Sequence, residues 1–254
     1  MTLIADSIRQ GYGDSVVIEG ISFELEKGSL VSVLGPNGSG KSTLIRTVCG
    51  MMKPWSGRLS VDGKDISDME PKELSRNLGY VPQRYMQTDY LKVFDAVLIG
   101  RAPYMSWSYS RDDFEHAENA MERMGVMDLA DRYVNDLSGG QIQKIIIARA
   151  LAQDPEYFIL DEPTSALDLK NQMVALRTVK DIVSEGGSGA LVALHDLNLA
   201  MRFSDRTIML KDGRVYAMGR PEDVITEESI RDVYGVSSEV YEGRNGRFVH
   251  ILEG

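Results

Sequence analysis

One stretch limits what this chain can become more than any other: Gly35-Pro36-Asn37-Gly38-Ser39-Gly40-Lys41-Ser42-Thr43. The apolar run Leu30-Val31-Ser32-Val33-Leu34 precedes it and Leu44-Ile45-Arg46-Thr47-Val48 follows, so the context is strand, glycine-rich loop, helix. A phosphate-binding loop requires that context. Glycines at 35, 38 and 40 let the backbone curl around an anion and aim successive N–H groups at it, and the following helix adds the positive end of its dipole. In this reading Lys41 reaches the β and γ phosphates, and the Ser42 hydroxyl joins the oxygen shell that Mg²⁺ prefers. The alternative is a glycine-rich turn that merely starts a helix. A phosphate loop by itself leaves kinases, GTPases and many ATPases open.

A length of 254 residues suffices for one substantial core with an insertion, or for two small domains. The formal net charge of -10 argues against nucleic acid as the main partner, because phosphate-backbone binding leaves a basic footprint. A single cysteine, Cys49, excludes an intramolecular disulfide framework and fits a reducing compartment; its place in the helix after the loop suggests a small buried side chain. The first residues, Met1 to Asp6, lack the basic patch and apolar run of a secretory signal, and no apolar run approaches the ~18 residues of a membrane span. The expectation is a soluble, cytoplasmic chain whose membrane role, if any, comes through a partner.

In chain order, residues 2 to 30 read as short strands with turns at Gly11 to Gly13 and at Lys27-Gly28, and Ile21 to Glu26 alternates as a half-buried antiparallel strand should. Tyr12, in the first turn, either stacks on a base ring or covers the sheet edge. Gly57 to Lys64 reads as a strand entering a turn, a polar helix starts near Pro71, and Gly79-Tyr80-Val81 ends at Pro82. Gln83 is thereby left at a strand edge, as a surface amide or as a group touching both Mg²⁺ and an attacking water.

From 84 to about 150 the composition changes: Tyr85, Tyr90, Phe94, Tyr104, Trp107, Tyr109 and Phe114 mix with helical segments near 92 to 100 and 112 to 124. This reads as a helical insertion, its aromatics either a docking surface or a small core. Asp112-Asp113 with Glu115, Glu118 and Glu122 reads as a solvated helix face. Leu137-Ser138-Gly139-Gly140-Gln141 then opens a helical run, as a second anion site or an ordinary serine N-cap.

Tyr157-Phe158-Ile159-Leu160-Asp161-Glu162 reads as a buried parallel strand ending in two carboxylates. Ligands of open α/β sheets sit at the carboxyl ends of strands, where the phosphate loop also opens. Asp161 is placed to hold Mg²⁺ through water and Glu162 to polarise the attacking water; the competing role is a helix-capping acidic pair. Pro163 to Asp168 makes a tight exit. A further buried strand, Ala190 to Leu194, ends at His195-Asp196, where the histidine either supports the structure or donates to a γ phosphate. His116 and His250 lack such a setting.

Six motifs in this order resemble one family, the nucleotide-binding subunits of ATP-binding cassette (ABC) transporters. They are the Walker A residues 35 to 43, Gln83, the LSGGQ signature 137 to 141, Walker B 157 to 162, the SALD turn 165 to 168 and the switch His195. The resemblance implies a P-loop NTPase (RecA-like) α/β core with an N-terminal antiparallel β subdomain and an inserted helical subdomain. All of 1–254 would be one ABC ATPase domain, with core in 1–83 and 151–254 and the insertion, signature included, in 84–150. It implies that Tyr12 stacks on adenine, that Leu137 and Asp168 belong to the nucleotide site, and that Ser138 to Gln141 bind the γ phosphate of ATP held by a second protomer. Glu162, His195 and Gln83 would be catalytic, and Ser42, Gln83 and Asp161 would surround Mg²⁺. Ile142 departs from the pattern, standing where many relatives carry arginine.

Within the family, Asp65-Ile66 with Pro71 to Leu74, Val97 to Pro103, His195 to Ala200 with Phe203 to Arg206, Thr226 to Ile230 and Val233-Tyr234-Gly235 are similar to importer subunits for iron-siderophore, haem and cobalamin uptake. The implied partners are permease subunits, a second copy of the chain and, indirectly, a substrate-binding protein, with no nucleic acid. The implied location is the inner face of the cell membrane. The rival is a soluble non-transport ABC ATPase; those resemble two fused cassettes or a cassette split by a long coiled coil, and neither pattern is present. A P-loop kinase would lack LSGGQ.

Overall fold

Period-two alternation builds the first sheet and continuous apolar runs build the second. The computed structural model describes residues 2–83, 90–244 and 246–252; Tyr85 lies outside them. In chain order the elements are β1 (Thr2–Tyr12), β2 (Ser15–Glu26), β3 (Leu30–Leu34), α1 (Lys41–Val48), β4 (Ser56–Val61), β5 (Lys64–Asp65), α2 (Pro71–Asn77) and β6 (Leu78–Val81). There follow α3 (Val93–Leu98), α4 (Arg111–Arg123), α5 (Gly139–Gln153), β7 (Tyr157–Asp161), α6 (Leu169–Ser184), β8 (Gly189–Ala193) and α7 (Leu197–Phe203). The chain continues through β9 (Arg206–Lys211), β10 (Arg214–Gly219), α8 (Pro221–Val224), α9 (Glu227–Tyr234), β11 (Ser238–Gly243) and β12 (Gly246–Ile251).

Residues 2 to 30, expected as short strands, form two long ones. β1 and β2 pair antiparallel within the sheet β2-β1-β4-β5, and their register slips between Ala5 and Ile8 and again between Ile8 and Gln10. Ser7, at the first slip, has a φ of 52°. Such bulges throw apolar positions out of alternation, so one bent strand reads as several short ones.

The second sheet runs β10-β9-β3-β8-β7-β6, parallel from β9 to β6 with β10 antiparallel at the edge. β3, β7 and β8 are buried at every residue, as strands covered on both faces are. Alternate residues go to opposite faces: Tyr157 and Ile159 pack with Leu44, Ile45 and the first sheet, whereas Phe158 and Leu160 pack with Ile146 and other residues of the insertion. Each such fully buried aliphatic side chain contributes about 1.5–3 kcal/mol.

α3, α4 and α5 lie between β6 and β7, the first two within a residue or two of the expected segments. α5 continues to Gln153 and ends at Asp154 in a left-handed C-cap, φ 52°. The expected boundary at 150 therefore falls inside a helix, because the run from Ile142 to Ala152 holds no glycine or proline to make a turn there. Asp113 departs from the expected solvated face. It is buried, and its Oδ1 accepts from Arg101 Nε at 2.9 Å, while Arg101 Nη1 donates to Ala152 O at 3.0 Å. Burial raises the Asp113 pKa, but the Ser110 N–H and the guanidinium outweigh it and hold the carboxyl below its ordinary value. At Gly100 a Cβ would collide with the Arg149 carbonyl, so glycine sets how closely the end of α3 approaches α5.

The aromatics of this segment divide. Phe94 stacks on Phe114, Tyr109 packs against the core and the Arg101 guanidinium lies 4.0 Å from the Tyr104 ring. Trp107 and Tyr90 point outward, 98% and 81% exposed. Cys49 is buried, and burial pushes its thiol up to about 11, so it is no nucleophile.

Candidate active site

Four neighbouring parallel strands, in the order β3-β8-β7-β6, end at the same edge of the sheet. β3 runs into the glycine-rich loop, β8 ends just before His195, β7 ends at Asp161 with Glu162 next, and Gln83 follows β6 by two residues. Three sequence-distant segments thus meet the loop around a cleft of about 280 Å³. Its wall includes Lys41, Ser42, Thr43, Gln83, Glu162 and His195, with Asn37, Gly38 and Gly40 from the loop. Val17 on β2 also lines it. Nothing in the sequence marked Val17, because its place depends on the first sheet folding over the loop.

The loop has the backbone that the sequence requires of it. Gly35, Gly38 and Gly40 have φ of 149°, 82° and 101°, and Gly40 N-caps α1 without any side-chain bond to the first N–H groups. These amides are left for an anion. Ser39 is buried, its hydroxyl without a partner among the described residues, while Pro36 is half-buried and Asn37 exposed. Lys41 folds back over the loop, its Nζ donating to Gly35 O at 2.7 Å and Pro36 O at 3.1 Å. Burial lowers its pKa, opposed by Glu162 and Asp161.

Ser42 Oγ donates to Asp161 Oδ1 at 3.0 Å, whereas the buried Asp161 Oδ2 has no hydrogen-bond partner among the described residues. Burial pushes the Asp161 carboxyl up. A carboxylate oxygen left bare next to a hydroxyl suits a cation with an oxygen shell. Among the described residues no group of three or more His, Cys, Asp or Glu could hold a metal by itself, so a divalent ion here would take most of its ligands from phosphates and water.

Glu162 is gripped on both oxygens: Gln83 Nε2 donates to Oε2, and His195 Nε2 lies 2.5 Å from Oε1. It is 6% exposed and has a φ of 51°, the left-handed region that a non-glycine residue occupies at a cost. Strain of this sort concentrates where a side chain must be aimed.

The other expected site residues stand elsewhere. Tyr12 is 51% exposed and does not line the cleft; the Arg46 guanidinium lies beside its hydroxyl and that of Tyr80. Leu137 is buried and packs in the core. Ser138 N-caps α5 in a capping box with Gln141: Ser138 Oγ accepts from the Gln141 N–H at 3.4 Å, and Gln141 Oε1 accepts from the Ser138 N–H at 3.0 Å. No atom of the described residues lies within 4 Å of a Cβ built on Gly139, so among them the space above the signature is open; Gly140 faces the Ala166 carbonyl. Asp168 N-caps α6, accepting from the Asn171 N–H at 2.8 Å. Ile142, half-buried, packs on the core. His116 lies 3.6 Å from Asp112, and His250 is on β12, so neither joins the cleft.

The sequence profile of the family described as ABC transporter matches residues 18–165. The chain is 45% identical over 94% of its length to the "Uncharacterized ABC transporter ATP-binding protein MJ0089" of Methanocaldococcus jannaschii, covering 93% of that protein. It is 36% identical over 92% of its length to the "Ferric enterobactin transport ATP-binding protein FepC" of Escherichia coli, covering 86% of it. Among solved structures, the dimeric structure of MJ0796, a bacterial ABC transporter cassette, superposes with a TM-score of 0.78 at 29% identity, over 86% of this chain and 98% of that one.

Proposed function

The chain belongs to the ABC transporter family as an ATP-binding, ATP-hydrolysing subunit, and we propose that it drives an importer for an iron-siderophore, haem or cobalamin type of chelate. It works as an ATP-bridged homodimer on the cytoplasmic face of a membrane permease, which a substrate-binding protein loads. The carrying observation is the two-sided grip of Gln83 and His195 on Glu162 at the edge where the phosphate loop opens. The chelate class is supported by relatives named for petrobactin, enterobactin and hemin import at 35% to 38% identity. Among the described residues no helix is long and apolar enough to cross a membrane, which agrees with a transport role exercised through a permease.

Each side chain then has a task. The loop amides and Lys41 hold the β and γ phosphates, the lysine exchanging the Gly35 and Pro36 carbonyls for phosphate oxygens. Ser42, Asp161 and the Gln83 amide would hold Mg²⁺, which would supply positive charge against the phosphates. Glu162, released from Gln83 and His195, accepts a hydrogen bond from the attacking water and orients it in line. His195 donates to the γ phosphate. The signature residues Ser138, Gly139, Gly140 and Gln141, outside their own chain's cleft, close the partner's, with Asp168 alongside. The insertion, 84–150 extended to the end of α5, moves as a subdomain against the core.

Tyr12 swings from Arg46 to stack on adenine. Tyr12→Ala is expected to weaken nucleotide binding by about 1–3 kcal/mol, while Tyr12→Phe and Tyr12→Trp bind like the parent. Titration calorimetry that gave equal affinities for all three would leave Tyr12 only covering the sheet edge at the end of β1.

The function itself is tested by tagging the chain in its own cells and isolating it from detergent-solubilised membranes. A polytopic permease should accompany it, and in liposomes the pair should hydrolyse ATP faster when a binding protein loaded with ferric siderophore, haem or cobalamin is supplied. Recovery without any membrane protein would sink the transport role. Recovery with a permease that responds to none of these chelates would sink the substrate class alone.

A further inference from the structure

His195 is 46% exposed on its side chain, and its ring is held at Glu162. When Glu162 turns to a water, that hold is lost, and the aim of the imidazole depends on the backbone behind it. α7 starts two residues later. Its N-cap Asp196 accepts from the N–H groups of Asn198 at 2.7 Å and Leu199 at 3.1 Å, fixing the first turn from its own side.

A second restraint comes from the far end of the chain. Asn198 Nδ2 donates to Val249 O at 3.1 Å, and Asn198 Oδ1 accepts from the Val249 N–H at 2.7 Å. One amide thus makes the pair of bonds that a neighbouring strand would make with β12, whose other edge is taken by β11. Val249 itself is buried while Asn198 is exposed, so the backbone end of each bond is shielded from water. Between the two segments lies a mostly apolar hollow of about 480 Å³, walled by His195 and Leu197 on one side and Ile230, Tyr234 and Val249 on the other. The Tyr234 hydroxyl is buried near the backbone of Gly35. The C-terminal segment therefore reaches both the switch histidine's helix and the first residue of the phosphate loop.

We infer that Asn198 is a positioning residue: its two-bond clamp on Val249 fixes the start of α7, so that His195 stays aimed along the strand edge after Glu162 lets go. The inference rests on the reading of His195 as the γ-phosphate contact. Side chains that misaim a catalytic group lower turnover more than binding.

Asn198→Leu keeps the volume and removes both bonds. Its turnover should fall roughly tenfold while KM for ATP changes less than about twofold, and the Val249 amide should lose its protection in hydrogen exchange. Added to His195→Ala, it should cost nothing more, since its effect passes through the imidazole. Asn198→Ala removes the same bonds and serves if the leucine variant folds poorly. Parental turnover in a folded Asn198 variant, with His195→Ala impaired, overturns the positioning role alone. So do losses that multiply in the double variant, which would make the clamp merely structural. Parental turnover in His195→Ala would overturn the reading of the histidine, and this inference with it.

Discussion

A Glu162→Gln protein mixed with MgATP elutes from a size-exclusion column as a dimer, and with ADP as a monomer. Two protomers of formal charge -10 repel one another at low salt, so the pair needs a bridge. MgATP is that bridge in the proposed function, held by one chain's loop and by the other's Ser138, Gly139 and Gly140. Glutamine keeps the size of the side chain and one acceptor oxygen, enough for the hydrogen bond from Gln83 or the one from His195 but not both, and it is a far poorer base. Loss of base assistance costs about 10²- to 10⁴-fold, enough to make the bridge outlive the column run. Ser138→Arg added to Glu162→Gln places a bulky side chain at the mouth above Gly139, where no atom of the described residues lies within 4 Å of a built Cβ. The double variant should bind ATP and elute as a monomer. Dimerisation equal to that of Glu162→Gln alone would remove the signature from the interface.

Lys41→Ala abolishes hydrolysis and weakens MgATP binding. A hydrogen bond to a charged group contributes about 1.5–3 kcal/mol, which is roughly 10- to 150-fold in Kd. The ammonium also donates to the Gly35 and Pro36 carbonyls, so the variant loses a tether of the nucleotide-free loop as well. A lower Tm without nucleotide should therefore accompany the lost activity, and the stabilisation that ATP normally adds to the melt should shrink. ATPase activity near the parental rate in a folded Lys41→Ala protein would end the phosphate-loop assignment.

What could be read from the sequence was what is contiguous. The loop at 35 to 43, the carboxylates closing β7 and the histidine closing β8 each sit in a short local pattern whose backbone context is part of the signal. Because parallel strands open their ligand sites at one edge, the meeting of these segments could be anticipated as well. Contacts made at long range could not. Val17 reaches the cleft only because one sheet folds over the other, and the clamp joins Asn198 to a residue 51 positions later. Asp113 was misread for the same reason: its helix is acidic in sequence, and only the fold brings Arg101 against it. The bulged β1 was missed on different grounds, since a left-handed Ser7 has no compositional mark.

Glu162 departs from the usual backbone of its residue type, with φ 51°. For a side chain with a Cβ that conformation costs about 1–2 kcal/mol relative to right-handed geometry, and glycine would relieve it. Position 162 is therefore a point where durability and turnover oppose each other. A screen that rewards heat resistance alone should enrich glycine there and return proteins that bind nucleotide, melt later and do no work. A screen for transport should leave the strain in place and gather its stabilising changes elsewhere.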